Sequence, residues 1–376
     1  DLSRGLYIFA KLFAAGRRLG EDLASMIFPE SVALSALVFS VSATAAPAVG
    51  VPTKFNWDAT RYVYAFGDSY TFVEGTKGLA TFSFIGDAFD FSFTPAELLE
   101  DEIVPKNTSS DGSNWVEFLT GCFEGKPSDC SPHQLWDFAF AGADIDKSLL
   151  PLHHNFTIDL VDEVKRWAAY AADVIPHPAH ETLTAWWIGI NDTGDTLNNA
   201  TITDIHAFWE TEMASFFSAV ELAYDRNLRG TYLFINVPPE DRSPSHANTS
   251  WAATLAANID DYNAVLDAHV QDFAATHSDM NVLTFDAHAW FNGVLDSPSQ
   301  FGFTNITGFC ECTDPGFFWY SECCWLLPLL SERGFTVLSD TGHPTEHVHR
   351  LLAQAIEEEL RRASAVRINQ LPRCGA

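Results

Sequence analysis

Four short stretches carry side chains whose types and order can do chemistry. Ser69 follows Gly67 and Asp68 in RYVYAFGDSYT (61–71), Gly142 lies in FAFAGAD (138–144), Asn191 lies in GIND (189–192), and Asp340 stands three residues before His343 in SDTGHPT (339–345). Serine is a poor nucleophile at neutral pH and needs a base to take its proton. An imidazole can be that base, and a carboxylate on its other ring nitrogen fixes the tautomer and steadies the imidazolium. The Asn191 amide, and a backbone N–H freed by Gly142, can donate to the oxyanion that forms when a carbonyl is attacked. Each piece alone also has a plainer reading. Gly-Asp-Ser and Asp-Thr-Gly are common turns, an asparagine at a strand end is a common helix cap, and a glycine there is a common tight turn.

The elements around these residues bring them to one place. Tyr62–Phe66 is an uncharged run of strand length stopped by Gly67 and Asp68. Leu135–Ala141, Leu183–Ile190, Thr231–Val237 and Met280–Asp286 read as four further strands, ended by Gly142, by Asn191–Asp192, by Pro238–Pro239 and, for the fifth, at Asp286. Between them, Ile158–Ile175 repeats apolar residues at helical spacing through Val161, Val164, Ala168 and Ala171 until Pro176. Trp115–Thr120 reads as a short helix, Thr203–Arg229 as a helix capped by Gly230, and Ser250–His277 as a long helix. A final helix starts at Pro344, a good first-turn residue, with an apolar stripe of Val348, Leu351, Leu352, Ala355 and Ile356. Residues 71–113 show no period and read as a long surface excursion. Strands alternating with helices imply βαβ units, a five-stranded parallel sheet and helices on both faces, in one catalytic domain. Nucleophile, donors and base then all fall at the carboxyl ends of strands or after the last one, where such sheets bind ligands.

The whole chain narrows the classes further. Its 376 residues are 47% hydrophobic and 13% aromatic, with 30 Phe and 11 Trp, which suits a large core and excludes disorder. A net charge of −29 disfavours nucleic acid and anionic membrane surfaces. Val32–Val41 is an apolar run of signal-peptide length followed by the small residues of ATAAPA (43–48), too short to span a membrane. We read residues 26–45 as a signal peptide starting at Met26, and residues 1–25 as an extension of the gene model. Secretion makes disulfides the expected use of the seven cysteines, with Cys122 and Cys130 able to close a loop around GKPSD. Cys310, Cys312, Cys323 and Cys324 cluster, but their CEC and CC spacings do not match zinc ligands. Sequons at Asn107, Asn155, Asn199, Asn248 and Asn305 fit an extracellular glycoprotein, while the one at Asn191 falls in the site.

Taken together and in order, FGDSYT, FAFAGAD, GIND and DTGHPT resemble the four blocks of the SGNH (GDSL) hydrolase superfamily. The surroundings GSNWVEFLT, INVPPEDRSP, FFWYS and HPTEHVHRLLA are similar to fungal carbohydrate esterase family 16 acetylesterases, and the resemblance runs from about Phe55 to Arg362. It implies a three-layer α/β/α sandwich of flavodoxin-like topology, with an esterase domain over residues 55–364. It implies Ser69 as nucleophile, His343 as base, Asp340 as its orienting acid, and an oxyanion hole of the Ser69 and Gly142 N–H groups with the Asn191 side chain. No metal or cofactor is implied. The expected activity is removal of acetyl groups from plant cell-wall oligosaccharides, with oligomeric state left open. One departure is Glu322–Ser339, an apolar insertion between FFWYS and DTGHPT that reads as a retained intron or, failing that, a lid.

Rival readings share the same residues. A lipase or lysophospholipase would use the same machinery, with the Phe-rich stretch 72–93 lining an acyl groove. A non-catalytic carbohydrate-binding glycoprotein would not need Ser69, Asn191, Asp340 and His343 together. Among other histidines, His347 and His349 read as surface residues of the last helix. His153, His154, His177 and His180 lack carboxylate or cysteine partners at ligand spacing. Asp68 and Asp192 read as structural residues tightening their turns, and Trp186 and Trp187 as core.

Overall fold

In a computed structural model of the chain, residues 55–85, 93–110, 112–310, 315–320 and 342–365 are described, all within one compact unit, Gly50–Ala376. Asp340, the extension and signal peptide, the 322–339 segment and Cys312, Cys323, Cys324 and Cys374 lie outside the described residues.

β1 (Tyr62–Gly67) is buried along its whole length, as a parallel strand covered on both faces must be. With β2 (Gln134–Asp137), β3 (Thr182–Trp187), β4 (Thr231–Ile235) and β5 (Asn281–Phe285) it forms a sheet in the order β2-β1-β3-β4-β5, every pair parallel. The chain therefore steps from β1 to one side and returns to the other. Parallel crossovers are right-handed in nearly all proteins, so this reversal sends the first crossover helix to one face and the later ones to the opposite face. Accordingly α2 (Trp115–Thr120) packs on the last helix, α8 (Glu346–Ala365), whereas α3 (Leu160–Arg166) packs on α5 (Ile205–Asp225) and α5 on α6 (Ala252–Thr276). This is the expected three-layer α/β/α sandwich with a flavodoxin-like strand order. Its switch point lies between β1 and β3, so Ser69 and Asn191 flank the crevice where such sheets take ligands.

The core is aromatic. Trp186 stacks on Phe66 with ring centroids 4.6 Å apart, and both Trp186 and Trp187 are buried. Complete burial of one large apolar side chain stabilises by about 1.5–3 kcal/mol, which is why strand residues here need no alternation.

Several expectations change in detail. β2 ends at Asp137 instead of Ala141: beyond it Phe138 and Phe140 still donate to the Ala65 and Gly67 carbonyls of β1, but the Ala139 N–H goes to Asp137 Oδ1 at 2.7 Å. α3 starts at its Asp159 cap and passes into a π-turn over Trp167–Ala171 instead of continuing to Ile175. Gly230 does not cap α5; Asn227 takes the left-handed conformation after the helix, with φ 69°. The described residues of 71–113 are not wholly a surface excursion. Phe72, Val73, Phe84, Ile85, Phe93 and Leu98 are buried, and α1 (Pro95–Glu100) carries a Thr94–Glu97 capping box. Irregular backbone buries side chains without a period, so the pattern was silent.

Two helices carry no sequence expectation: α4 (Ile190–Asp195) and α7 (Ala287–Asp296). Nor does a second sheet, β6 (Asn305–Cys310), β7 (Phe317–Tyr320) and β8 (His343–Pro344), with β7 in the middle. Pro344 therefore belongs to a strand and not to the first turn of α8. A residue before proline favours extended backbone, and His343 uses it to pair with Tyr320.

Cys122 and Cys130 are joined by a disulfide with Cα atoms 5.5 Å apart. Replacing both by alanine is expected to lower the unfolding free energy by about 2–3 kcal/mol, from the loop entropy released. Denaturant unfolding of the double variant measures it, and an unchanged midpoint would refute it.

Candidate active site

Ser69 is delivered by a turn pinned from several sides. Gly67 has φ 154°, and a Cβ there would meet the Trp187 carbonyl oxygen at 2.1 Å, so no other residue fits between β1 and β3. Asp68 is fully buried and its Oδ1 accepts the Tyr70 N–H at 3.0 Å. Asp68 carbonyl oxygen accepts the N–H groups of Thr71 and Phe72, both at 3.0 Å. The Asn114 amide donates to the Thr71 and Phe72 carbonyls at 2.7 and 2.8 Å while its Oδ1 caps α2. Buried Glu163 accepts the Gly67 N–H at 3.0 Å through Oε2 and the Phe140 N–H at 3.1 Å through Oε1, tying the ends of β1 and β2 together.

His343 meets this turn from β8. Its Nε2 lies 2.7 Å from Ser69 Oγ, with the hydroxyl positioned to donate. The loop before it is held by Tyr70, whose Oη is 2.7 Å from the Gly342 carbonyl and 2.5 Å from Glu240 Oε1. Burial raises the Glu240 carboxyl to about 8 while the Tyr70 hydroxyl, shared between it and the Gly342 carbonyl, opposes that rise. His349, expected at the surface, is buried: it falls on the α8 face of Leu352 and Ile356. The Tyr70 ring stands 5.5 Å from His343 and 6.3 Å from His349. His347 is half-buried, its Nε2 3.1 Å from the Phe301 carbonyl oxygen.

Loss of hydration lowers His343 to about 4. A base works only when neutral, so activity is present above that pH and is lost as pH falls through it. The expected kcat/KM profile therefore has its acid limb below about 6.5, the ordinary imidazole value. Rates between pH 3 and pH 8 test this, and a limb at or above the ordinary value overturns it.

The donors converge from the neighbouring strands. Gly142 has φ 80°, and among the described residues neither its N–H nor that of Ser69 is taken by a protein acceptor. Asn191 does not cap α4; Gly189 precedes the helix with φ 112°, and Asn191 lies in its first turn. Its Nδ2 donates to the Ala143 carbonyl at 2.9 Å, fixing the amide beside the Gly142 turn and leaving its second N–H. Asp192 accepts the Ile145 N–H at 2.9 Å, closing the same turn from below. The structure thus brings together Ser69, His343, Gly142 and Asn191 at the ends of β1, β2, β3 and beside β8. A hydroxyl 2.7 Å from an imidazole, with N–H donors on the turns after the neighbouring strands, is the residue set that attack on an acyl carbon requires.

Glu163, Asn114, Tyr70 and Glu240 were not singled out from sequence. Asn114 and Glu163 left signals: Asn114 stands three residues before Glu117 in a capping-box pattern, and Glu163, three residues after Leu160 and four before Trp167, is a carboxylate on the apolar side of its helix. Behind the donors lies a cluster of acids. Burial raises Asp68 to about 8, and burial together with their mutual repulsion holds Asp144 and Glu212 well above the usual carboxylate range, with Asp192 raised by burial. His153 sits at its edge, and contrary to the spacing argument it has carboxylate partners, Asp195 and Asp144, brought by α4 and the turn after Gly142. His177 bonds the Ala172 carbonyl at 2.8 Å, and His180 pairs with Glu181 at 3.0 Å.

Comparison with known proteins identifies the family of the chain. Residues 63–356 match the family described as GDSL-like lipase/acylhydrolase. An acetylesterase of Thermothelomyces thermophilus is 26% identical over 337 residues, covering 86% of this chain and 96% of that protein. A GDSL-like lipase from Parabacteroides merdae aligns over 85% of this chain and 100% of its own, at 12% identity and TM-score 0.41. A catalytic mutant of an acetylxylan esterase from Geobacillus stearothermophilus aligns over 80% and 94%, at 15% identity and TM-score 0.41. Structural likenesses of that size say nothing about substrate.

Proposed function

Because this chain belongs to the GDSL-like lipase/acylhydrolase family and is a carboxylic ester hydrolase, we propose that it is a secreted acetylesterase that deacetylates plant cell-wall oligosaccharides. The observation that carries the catalytic assignment is the 2.7 Å approach of His343 Nε2 to Ser69 Oγ. Ser69 Oγ attacks the ester carbonyl as His343 takes its proton. The oxyanion is held by the Ser69 and Gly142 N–H groups and the Asn191 amide. His343 then gives the proton to the leaving sugar hydroxyl, and an acetyl group remains on Ser69. Water, deprotonated by His343, attacks that ester and releases acetate. Asp340, three residues before His343, orients the ring and steadies its charged form.

The acetyl preference is supported by the relative's name and by where Phe84 and Phe93 go. Phe84 and Phe93 are buried in the main core and do not line an acyl groove, whereas Phe72 and half-buried Phe82 form a small separate cluster with Ala139 and Ala141 beside Gly142. Secretion is supported by the leader-like stretch 26–45, the sequons and the net charge of −29. Among the described residues, no helix is long and apolar enough to cross a membrane. On this reading residues 55–364 are the catalytic domain and 322–339 an intron remnant.

Hydrolysis of 4-nitrophenyl acetate, butyrate and palmitate is the test, followed by acetylated xylo-oligosaccharides. Rates falling steeply with chain length support the acetylesterase, and preference for palmitate replaces it with a lipase. N-terminal sequencing of the secreted protein tests the leader: a start between Ala46 and Thr53 supports it, and a retained Asp1 refutes it.

A further inference from the structure

A second group of side chains with ligand atoms stands behind the oxyanion donors. Asp144, from the turn after Gly142, His153, from the loop before α3, and Asp195, from the end of α4, each offer one atom within 4.8 Å of the others. His153 Nε2 is 2.8 Å from Asp195 Oδ2 and 4.0 Å from Asp144 Oδ2. Asp144 is fully buried, and neither of its carboxylate oxygens has a hydrogen-bond partner. Burial without donors makes the ionised form of Asp144 costly, and a cation bound in place of its proton removes that cost. The cationic group that faces it is His153, at 4.0 Å, whereas Lys147, the nearest lysine in sequence, is paired with Asp162. The Oδ2 of neighbouring Asp192 is also buried without a partner, deepening the negative field. On the outer side, Leu152, His153, Asp195, Asn198 and Asn199 line a cavity of about 460 Å³ through which an ion and its waters can enter.

We propose that Asp144, His153 and Asp195 form a binding site for a divalent transition-metal ion of the zinc–manganese class, separate from the ester chemistry. Two carboxylates balance the ion's charge, and the imidazole favours a first-row transition metal over calcium or magnesium. Three protein ligands leave coordination positions for water from the cavity. The ion acts on structure, not as a reagent. A Cβ placed on Gly142 would lie 3.4 Å from His153 Nδ1, so an ion joining His153 to Asp144 and Asp195 clamps the oxyanion turn between α4 and the loop before α3. The inference stands on these residues whether or not the substrate is an acetyl ester.

The full chain, stripped with chelator, is titrated with Mn²⁺ while the free-ion paramagnetic resonance signal is followed, and with Zn²⁺ by calorimetry. The expected result is one ion per chain, bound roughly 10–100-fold more weakly after Asp144→Asn or His153→Ala and unchanged after His343→Ala. His153 is half-buried, so its replacement keeps the test open should Asp144→Asn fail to fold. The bound ion is also expected to raise the Tm of the wild type and not that of His153→Ala. Absence of binding of both ions, binding that survives both substitutions, or binding lost in His343→Ala instead overturns the proposal.

Discussion

Ser69→Ala is expected to lower kcat on 4-nitrophenyl acetate by about a million-fold, to the residue left by binding and oxyanion stabilisation. His343→Ala is expected to cost about as much, and the double variant no more than either single one. The reason is that the pair acts as one device. The hydroxyl at 2.7 Å from Nε2 is nucleophilic only while the ring removes its proton, and the ring has no task without the hydroxyl. Alanine at position 69 leaves the Gly67–Phe72 turn intact, since its bonds run through Asp68, Asn114, Glu163 and backbone groups. Single-turnover kinetics on folded variants, checked by unchanged Tm, provide the measurement. Multiplying losses in the double variant, or wild-type rates in Ser69→Ala, would remove Ser69 and His343 from the reaction.

Asn191→Ala is expected to lower kcat by about 10²–10³-fold with KM little changed, the loss seen when one oxyanion donor is removed. The amide has two N–H groups, and one is committed to the Ala143 carbonyl at 2.9 Å. That bond holds the other in place before substrate arrives, and pre-placed donors spend no reorganisation at the moment of reaction. The substitution also releases Ala143, costing about 0.5–1.5 kcal/mol of stability, which Tm reports separately from kcat. A rise in KM at constant kcat would make Asn191 a substrate-binding residue and not an oxyanion donor.

The order of strands and helices was legible because buried parallel strands read as apolar runs and the helices carry a 3.6-residue period. From that order alone came the parallel sheet and the carboxyl-end location of Ser69, Gly142 and Asn191. Ser69 and His343 could be picked out as a candidate pair because few residue sets can supply a nucleophile and a base in such turns, and the structure places them 2.7 Å apart. Three-dimensional packing decided the rest. His343 pairs as a strand with β7 because Trp319 and Tyr320 lie beside it, a contact no local pattern encodes. His349 faces inward because α8 packs on α2 and on Tyr70, both more than two hundred positions earlier in the chain. Tyr70, Glu240 and Glu163 matter only through partners distant in sequence, and His153 gains its carboxylates only when α4 folds over the Gly142 turn. Local propensity and period are properties of neighbours along the chain. Which buried acid meets which donor depends on long-range approach, and only the tertiary structure determines that.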